Sequence, residues 1–194
     1  MAKDNLPTVQ FPSRRAWEKW LAAQPADAPG AWLKLPKKGA TAPSVTKPEA
    51  IEAALAHGWI DGQIGALDEH WFLTRFTPRT ARSKWSKINC MTAERLIREK
   101  RMRPAGLREI ERAKADGRWK AAYASQRSAT VPKDLQIALN ANARAKAFFV
   151  KLDSANRYAV LYRVAEAKRP ETRAARIAKF ITMLARGERI HEPK

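Results

Sequence analysis

The sequence predicts an α+β protein, in which a small, mostly antiparallel sheet with packed helices is followed by an all-helical C-terminal half. Strand-like apolar runs occur only before Arg79, whereas helical periodicity dominates from Ser83 onward. A hydrophobic fraction of 45% in 194 residues is sufficient for a folded core. We therefore expect an α+β domain over residues 1–127 and a helical region over residues 128–194.

The N-terminal part alternates between strand-like and helix-like patterns. In order, these predict a strand at residues 8–11, a helix after Ser13, a strand at residues 31–35 and a helix after Thr46. Trp17, Trp20 and Leu21 recur at helical spacing and form one apolar stripe on the first helix. Thr46 and Glu49 form a capping box on the second helix, and Gly58 suits the left-handed backbone that ends it.

A hairpin and then a series of helices follow. Residues 59–65 and 71–77 are rich in aromatic and β-branched side chains, which predicts two paired strands joined by residues 66–69. The first helix predicted after the hairpin covers residues 88–100, with Leu96 and Ile97 inward, and the second covers residues 104–117. A third covers residues 132–149, with a break at residues 140–142. A segment capped by Ser154 and a last helix from Pro170 to Gly187 complete the prediction.

Cysteine, histidine and hydropathy patterns exclude several classes of protein. Cys90 is the only cysteine, so no intrachain disulfide can form, and a small buried side chain is favoured over a nucleophile. The three histidines are scattered, so we expect no metal site and no cofactor. No apolar run approaches the length of about 18 residues typical of a transmembrane helix, and residues 1–10 do not resemble a signal peptide. We therefore expect a cytoplasmic protein.

The net charge of +19 is unevenly distributed, with +6 in residues 1–100 and +13 in residues 101–194. Such a field attracts anionic small molecules and anionic macromolecules, including non-specific binding of nucleic acid. Arg169, Arg173 and Arg176 recur at helical spacing near the C-terminus. They can form a phosphate-facing stripe or, as is commonest, a solvated helix face, while Glu171-Thr172-Arg173 can dock on the N-terminal domain through charge pairs.

Residues 57–89 hold the best candidate for a ligand site, because three of the seven tryptophans occur there among polar and charged side chains. Aromatic walls with a few orienting polar groups are typical of small-molecule sites. The candidate ligand-binding residues are Trp59, Asp61, Arg75, Arg79, Ser83, Trp85 and Asn89. In this hypothesis Asp61 orients the ligand, the two arginines hold its negative group, and the tryptophans stack or exclude water. We expect Asp61 and Arg79 to lie close together beside Trp85.

Structural roles compete with these functional ones. Asp61 can instead form an ion pair with an arginine that fixes the hairpin. Ser86 or Asn89 can cap a helix, and His57 can act as a cation that suits the dipole of the helix it ends. No residue pattern matches a nucleophilic triad, a P-loop or a dinucleotide-binding fingerprint.

Five short motifs occur in the order Gly58-Trp59-Ile60-Asp61-Gly62, Thr77-Pro78-Arg79, Ser83-x-Trp85-Ser86-x-x-Asn89, Met102-x-Pro104-x-Gly106 and Glu171-Thr172-Arg173-x-x-Arg176-Ile177. In this order they resemble the bacterial YdeI/OmpD-associated family over roughly Phe11 to Gly187, and the helical C-terminal part of that family bears the label bacteriocin-protection. The resemblance implies tolerance of antimicrobial peptides and envelope stress, with no agreed catalytic residues. Since such peptides are typically cationic, as this chain is, an indirect route through an anionic partner or stress ligand is favoured over direct capture.

Three functions follow as hypotheses. The leading one is a non-enzymatic stress or antimicrobial-peptide tolerance factor that binds an anionic small molecule or partner at residues 57–89. The second is a nucleic-acid-binding protein that uses the basic C-terminal half. The third is an enzyme with Asp61 as general base and Arg79 as electrostatic stabiliser.

Overall fold

The computed structural model describes residues 5–40 and 42–192. Residues 1–4 of the N-terminal segment considered above, and Thr41, lie outside the described residues. The elements are β1 (Thr8–Val9), α1 (Arg14–Ala22), β2 (Ala31–Pro36), α2 (Lys47–Ala56), β3 (Trp59–Ala66), β4 (Trp71–Pro78), α3 (Lys87–Arg98), α4 (Pro104–Ala115), α5 (Lys133–Asn140), α6 (Ala143–Lys151), α7 (Ser154–Glu166) and α8 (Pro170–Ala185). Strands come first and the C-terminal half is helical, so the α+β prediction is confirmed.

The chain divides into two compact units, Met1–Ala122 and Tyr123–Lys194. The first contains the sheet and α1 to α4, and the second contains α5 to α8. No helix in the described part of the chain is both long and apolar enough to cross a membrane.

The four strands form one sheet in the order β1-β2-β4-β3. Strand β1 runs parallel to β2, while β2 with β4 and β3 with β4 are antiparallel, which confirms a mostly antiparallel sheet. The register of β3 against β4 shifts between Asp61 and Ile64. Such a bulge changes the alternation of faces along the strand.

Helices α1 and α2 cover one face of the sheet. Alternate residues of β2, among them Leu33 and Leu35, are fully buried in a cluster that also holds Trp17 of α1 and Ala50 of α2. The indole Nε1–H of Trp17 donates a hydrogen bond of 3.1 Å to the carbonyl oxygen of Ala50. This bond satisfies the polar atom that burial of a tryptophan brings into the core.

Local signals set the ends of these two helices as predicted. The Ser13 hydroxyl oxygen accepts a hydrogen bond from the N–H of Ala16 at 3.3 Å, at the start of α1. Glu49 accepts the N–H of Thr46 at 2.9 Å, which completes the capping box of α2. Gly58, with a φ of 79°, ends α2 and turns the chain into β3.

Helices α3 and α4 enclose a second cluster, which includes Trp85, Leu96 and Ile110. Cys90 is buried there, as predicted. The prediction that Ile97 faces inward is wrong, because Ile97 is 40% exposed while its neighbour Leu96 occupies the buried stripe. One α-helical step turns the side chain by about 100°, so adjacent positions rarely share a narrow apolar face.

In the second unit, α5 to α8 pack around Leu139, Val160, Val164 and Leu184. Helix α5 ends at Asn140 and α6 begins after Asn142, so the predicted break is confirmed. The residue that caps α7 is Asp153 and not Ser154 as predicted: its carboxylate accepts the N–H of Asn156 at 2.7 Å. Both residue types can cap a helix, and the chain enters the helical conformation at Ser154.

Candidate functional site

The first unit contains a cavity of about 1100 Å³, here called the basic cavity. Its walls come from α1, the segment after α1, the junction of α2 and β3, the end of β4, and α4. Its charged lining residues and histidine are Arg15, Glu18, Lys19, His57, Arg79, Arg103, Arg108, Glu109 and Arg112. Its apolar lining residues include Leu21, Trp59, Pro78 and Pro104.

Helical periodicity places the cations on the cavity walls. On α1, Arg15 and Lys19 are one turn apart, and on α4, Arg108 and Arg112 have the same spacing. Helix α4 starts at Pro104 without a capping side chain, and its first turn lines the cavity. The partial positive charge of a helix N-terminus therefore adds to the field of the side chains.

Close packing holds α4 in place. A Cβ atom added to Gly106 would overlap the carbonyl oxygen of Ala56 in α2, so only glycine lets the two helices approach this closely. Likewise, a Cβ on Gly58 would lie 3.0 Å from the carbonyl oxygen of Ala105 and 3.3 Å from Cγ of Glu109. The α4 wall of the cavity is therefore fixed against the end of α2.

The carboxylates of the cavity are already paired with arginines. Glu18 accepts a hydrogen bond of 2.8 Å from Nε of Arg14, a residue outside the lining. Glu109 lies 3.1 Å from Nη2 of Arg112. Both negative charges are thus compensated within the protein.

Four cations of the lining are not compensated in this way. Across the described ranges, no hydrogen bond or ion pair engages the side chains of Arg15, Lys19, Arg103 or Arg108. All four are exposed at the cavity. The basic cavity therefore carries an excess of positive charge directed at its contents.

Arg79 is a further cation of this lining and is buried, only 5% exposed. Its N–H donates to the carbonyl oxygen of Gly58 at 2.9 Å, and its Nη1 donates to that of Lys84 at 3.2 Å. The guanidinium carbon lies 3.8 Å from the centroid of the Trp85 ring, which is a close cation–π contact. The Trp85 ring thus holds the Arg79 guanidinium in position.

His57 also lines the cavity. Its Nδ1 is 2.9 Å from the carbonyl oxygen of Ala53, which can only accept, so Nδ1 carries a proton, and in the neutral imidazole Nε2 then has the lone pair. Burial lowers the pKa of His57, and the charge of Arg103 lowers it further, against the opposing effects of the Ala53 hydrogen bond and Glu18. The lowered pKa favours the neutral imidazole, against the role of a cation at a helix end that we expected for His57.

The structure separates the candidate residues of the hairpin. Trp59 and Arg79 line the basic cavity, whereas Asp61 and Arg75 do not. Asp61 is paired with Phe76 across the strands, so Arg75, the next residue, points to the opposite face of the sheet. Within the described part of the chain Asp61 has no ion pair or hydrogen bond, so the structural Asp–Arg pair is not formed there.

The polar residues after the hairpin stabilise a turn and a helix. The Ser83 hydroxyl accepts the N–H of Thr80 at 3.0 Å. Ser86 caps α3 by accepting the N–H of Asn89 at 3.1 Å, which confirms the capping interpretation for Ser86. Neither Ser83 nor Asn89 is part of the cavity lining.

Two of the three candidate C-terminal arginines are engaged within their own unit. Arg173 donates to both carboxylate oxygens of Asp134 and to the carbonyl oxygen of Val164. Nη1 of Arg176 donates to a backbone carbonyl oxygen at 2.6 Å. Arg169 occupies the N-cap position of α8 without a side-chain cap bond.

Sequence reasoning missed the cations from α1 and α4. The spacing Arg15-x-x-x-Lys19 and the sequence Arg103-Pro104-x-x-x-Arg108 are visible in the chain, but they are separated by more than eighty residues. Only the packing of α4 against α2 brings them to one cavity. Among the described residues, no group of three His, Cys, Asp or Glu side chains is placed to hold a metal ion.

Comparison with known families assigns the two parts of the chain separately. Residues 9–109, more than half of the chain, match the family model described as Domain of unknown function (DUF8412). The chain belongs to the DUF8412 family. Residues 128–187 match the model described as Bacteriocin-protection, YdeI or OmpD-Associated. No curated protein and no solved structure shows significant similarity to the chain.

These matches restrict the resemblance to the YdeI/OmpD-associated family to the C-terminal part of the chain. It is confirmed for residues 128–187, which contain the motif Glu171 to Ile177. The other four motifs lie within residues 9–109 and so in the DUF8412 domain. The basic cavity is formed within that domain, except for Arg112, which follows the matched residues.

Proposed function

We propose that the chain is a binding protein for an anionic small molecule, which it holds in the basic cavity. The observation that carries the proposal is the group of four lining cations, Arg15, Lys19, Arg103 and Arg108, that no described residue neutralises. Like charges gathered around one cavity repel each other, and an anion bound among them relieves that repulsion.

The size and composition of the cavity support an organic anion. Its volume of about 1100 Å³ is at the upper end for small-molecule sites. Leu21, Trp59 and Pro104 provide apolar surface beside the cations. The ligand we infer has a negative group, held by the arginines, and a body that contacts this surface.

Titration of the full chain with inorganic phosphate and pyrophosphate tests the proposal. Trp59 lines the cavity, so binding is measured by tryptophan fluorescence and confirmed by calorimetry. We expect saturable binding, tighter for pyrophosphate, that weakens as ionic strength rises. Arg103→Ala and Arg108→Ala should each weaken pyrophosphate binding about three- to tenfold.

Arg98→Ala is the matched control, because Arg98 is an exposed arginine near the end of α3 that does not line the cavity. It removes the same charge from the same unit. If Arg98→Ala weakens binding as much as Arg108→Ala does, the attraction is a property of the net charge, and the proposed site is wrong. Absence of saturable binding for both anions also contradicts the proposal.

A role in tolerance of bacteriocins or stress is the biological setting we propose for this binding. It is supported by the match of residues 128–187 to the bacteriocin-protection model. The test compares survival of bacteria that express the chain or its Arg103→Ala/Arg108→Ala variant during exposure to a cationic antimicrobial peptide. Protection by the chain that the variant loses supports a ligand-dependent role, and equal survival of both strains contradicts it.

A further inference from the structure

The basic cavity contains hydrogen-bond acceptors as well as cations. His57, in its neutral form, offers Nε2 as an acceptor, because Nδ1–H is committed to the carbonyl oxygen of Ala53. Burial and the charge of Arg103 lower the pKa of His57, which favours this neutral form near pH 7. A fully deprotonated anion has no donor for such an acceptor, whereas a hydroxyl group has one.

Glu109 is the second acceptor of this wall. The residue is 9% exposed, and its buried Oε2 has no hydrogen-bond partner among the residues that the structure describes. Its other oxygen is used by Arg112. A Cβ atom added to Gly58 would lie 3.3 Å from Cγ of Glu109, so this side chain lies directly beside the His57–Gly58 turn. A buried acceptor without a donor is unfavourable, and a donor brought by a ligand removes this cost.

We propose that the ligand of the basic cavity is a hydroxyl-bearing phosphate, such as a sugar phosphate, whose hydroxyl groups donate to His57 and Glu109 while its phosphate is held by the arginines. This inference rests on the proposed function and specifies the ligand class. A hydroxyl is favoured over an ammonium as the donor, because Arg15, Lys19, Arg103 and Arg108 would repel a second cation in the same space. A phosphate suits several arginines, because its oxygens accept bidentate hydrogen bonds.

The experiment compares two probes of equal charge type, ribose 5-phosphate and butyl phosphate, which lacks free carbon-bound hydroxyl groups. The measured quantity is the hydroxyl preference, defined as the Kd for butyl phosphate divided by the Kd for ribose 5-phosphate. We expect a preference of roughly tenfold or more in the unmodified chain, from one to two additional hydrogen bonds.

Two substitutions of His57 separate its acceptor from its structural bond. Asn places a donor near the position of Nδ1, so His57→Asn keeps the bond to Ala53 and loses the acceptor at Nε2. We expect His57→Asn to reduce the hydroxyl preference severalfold with little change for butyl phosphate. Gln extends to the position of Nε2, so His57→Gln should retain more of the preference.

Substitutions on α4 test the second acceptor with matched charge. Glu109→Gln and Glu111→Gln each remove one negative charge from the same helix, but Glu111 is exposed and outside the cavity lining. Glu109→Gln should tighten butyl phosphate, because a repulsive charge is lost, and should lower the hydroxyl preference about threefold or more. Glu111→Gln should leave the preference unchanged.

The outcomes distinguish the two proposals. If neither phosphate binds, the proposed function fails and this inference fails with it. If both bind with equal Kd, or if the preference survives in both His57→Asn and Glu109→Gln, the cavity binds anions but the hydroxyl recognition is wrong. Far-ultraviolet circular dichroism of each variant confirms that the fold is retained.

Discussion

Replacement of Glu52 by Gln should destabilise the first unit, because this carboxylate holds three arginines from different segments. Glu52 lies on α2 and accepts hydrogen bonds from Arg14 of α1 at 2.7 Å, from Arg101 at 2.7 Å, and from Arg95 of α3. Its side chain is 18% exposed. Burial raises the pKa of Glu52, but the hydrogen bonds from Arg14 and Arg95 outweigh burial and lower it to about 2.

The magnitude follows from this pKa. A decrease from the ordinary value of 4.5 to about 2 corresponds to about 3 kcal/mol, at about 1.4 kcal/mol for each tenfold change in the ionisation constant. Because this cluster of Glu52 and three arginines is partly exposed to solvent, the expected loss of unfolding free energy in Glu52→Gln is smaller, about 2 kcal/mol. Since the folded-state pKa is depressed, this stabilisation is complete above pH 4.5 and is lost as the pH falls toward about 2.

Tryptophan fluorescence in urea isolates this effect. All seven tryptophans lie in residues 1–122, so their emission reports unfolding of the first unit. The free energy of unfolding should be about 2 kcal/mol lower in Glu52→Gln than in the unmodified chain at pH 7, and the difference should decrease below pH 4.5.

Glu111→Gln, at an exposed carboxylate of α4, is the control and should change stability by less than about 0.5 kcal/mol. Equal stability of Glu52→Gln and the unmodified chain at pH 7 would refute the reasoning, and so would a difference between them that does not depend on pH between 5 and 2.

Three other substitutions or reactions test the packing. Gly106→Ala should cost about 2 kcal/mol in the same urea assay, because the new Cβ overlaps the carbonyl oxygen of Ala56; an unchanged midpoint would contradict this. Asn156→Ala should speed tryptic cleavage after Arg189, because Oδ1 of Asn156 accepts hydrogen bonds from the N–H groups of Ile190 at 3.1 Å and His191 at 2.9 Å. An equal cleavage rate would contradict that role. Burial raises the pKa of Cys90 to about 11, so at pH 8 its reaction with a thiol reagent should be about a hundredfold slower in the folded chain than in urea; similar rates would contradict burial.

Local sequence signals predicted the elements well, because each acts within one turn or strand. Thr46 and Glu49 lie three residues apart, and their hydrogen bond forms whatever surrounds the helix. Pro104 and Pro170 begin helices for the same kind of local reason. The cap of α7 was displaced by one residue, because Asp153 and Ser154 are both good caps and sequence alone does not rank them.

The candidate site was harder to predict, because tryptophan is common both in ligand sites and in hydrophobic cores, and the sequence does not distinguish the two. Trp85 is 2% exposed and contacts Arg79 from within a hydrophobic cluster, so its main surface is used by the protein itself. Trp59 is 4% exposed and packs edge-on against Trp20, with only a margin at the cavity. The run of aromatic and polar residues that we predicted as a ligand site is thus largely a region of dense packing, and the basic cavity lies at its edge.

The residues that give the basic cavity its charge come from two helices that are far apart in the sequence. Arg15 and Arg108 are exposed on their own helices, and each alone is an ordinary solvated cation. They act together only because Gly106 lets α4 approach the end of α2, and because Glu18 and Glu109 are neutralised by other arginines. The charge balance of the cavity thus depends on which of its carboxylates pair with arginines other than these four cations, a property of the folded chain. The net charge of +19 predicted an anionic partner, and the cations from α1 and from the start of α4 form the site that we propose for it.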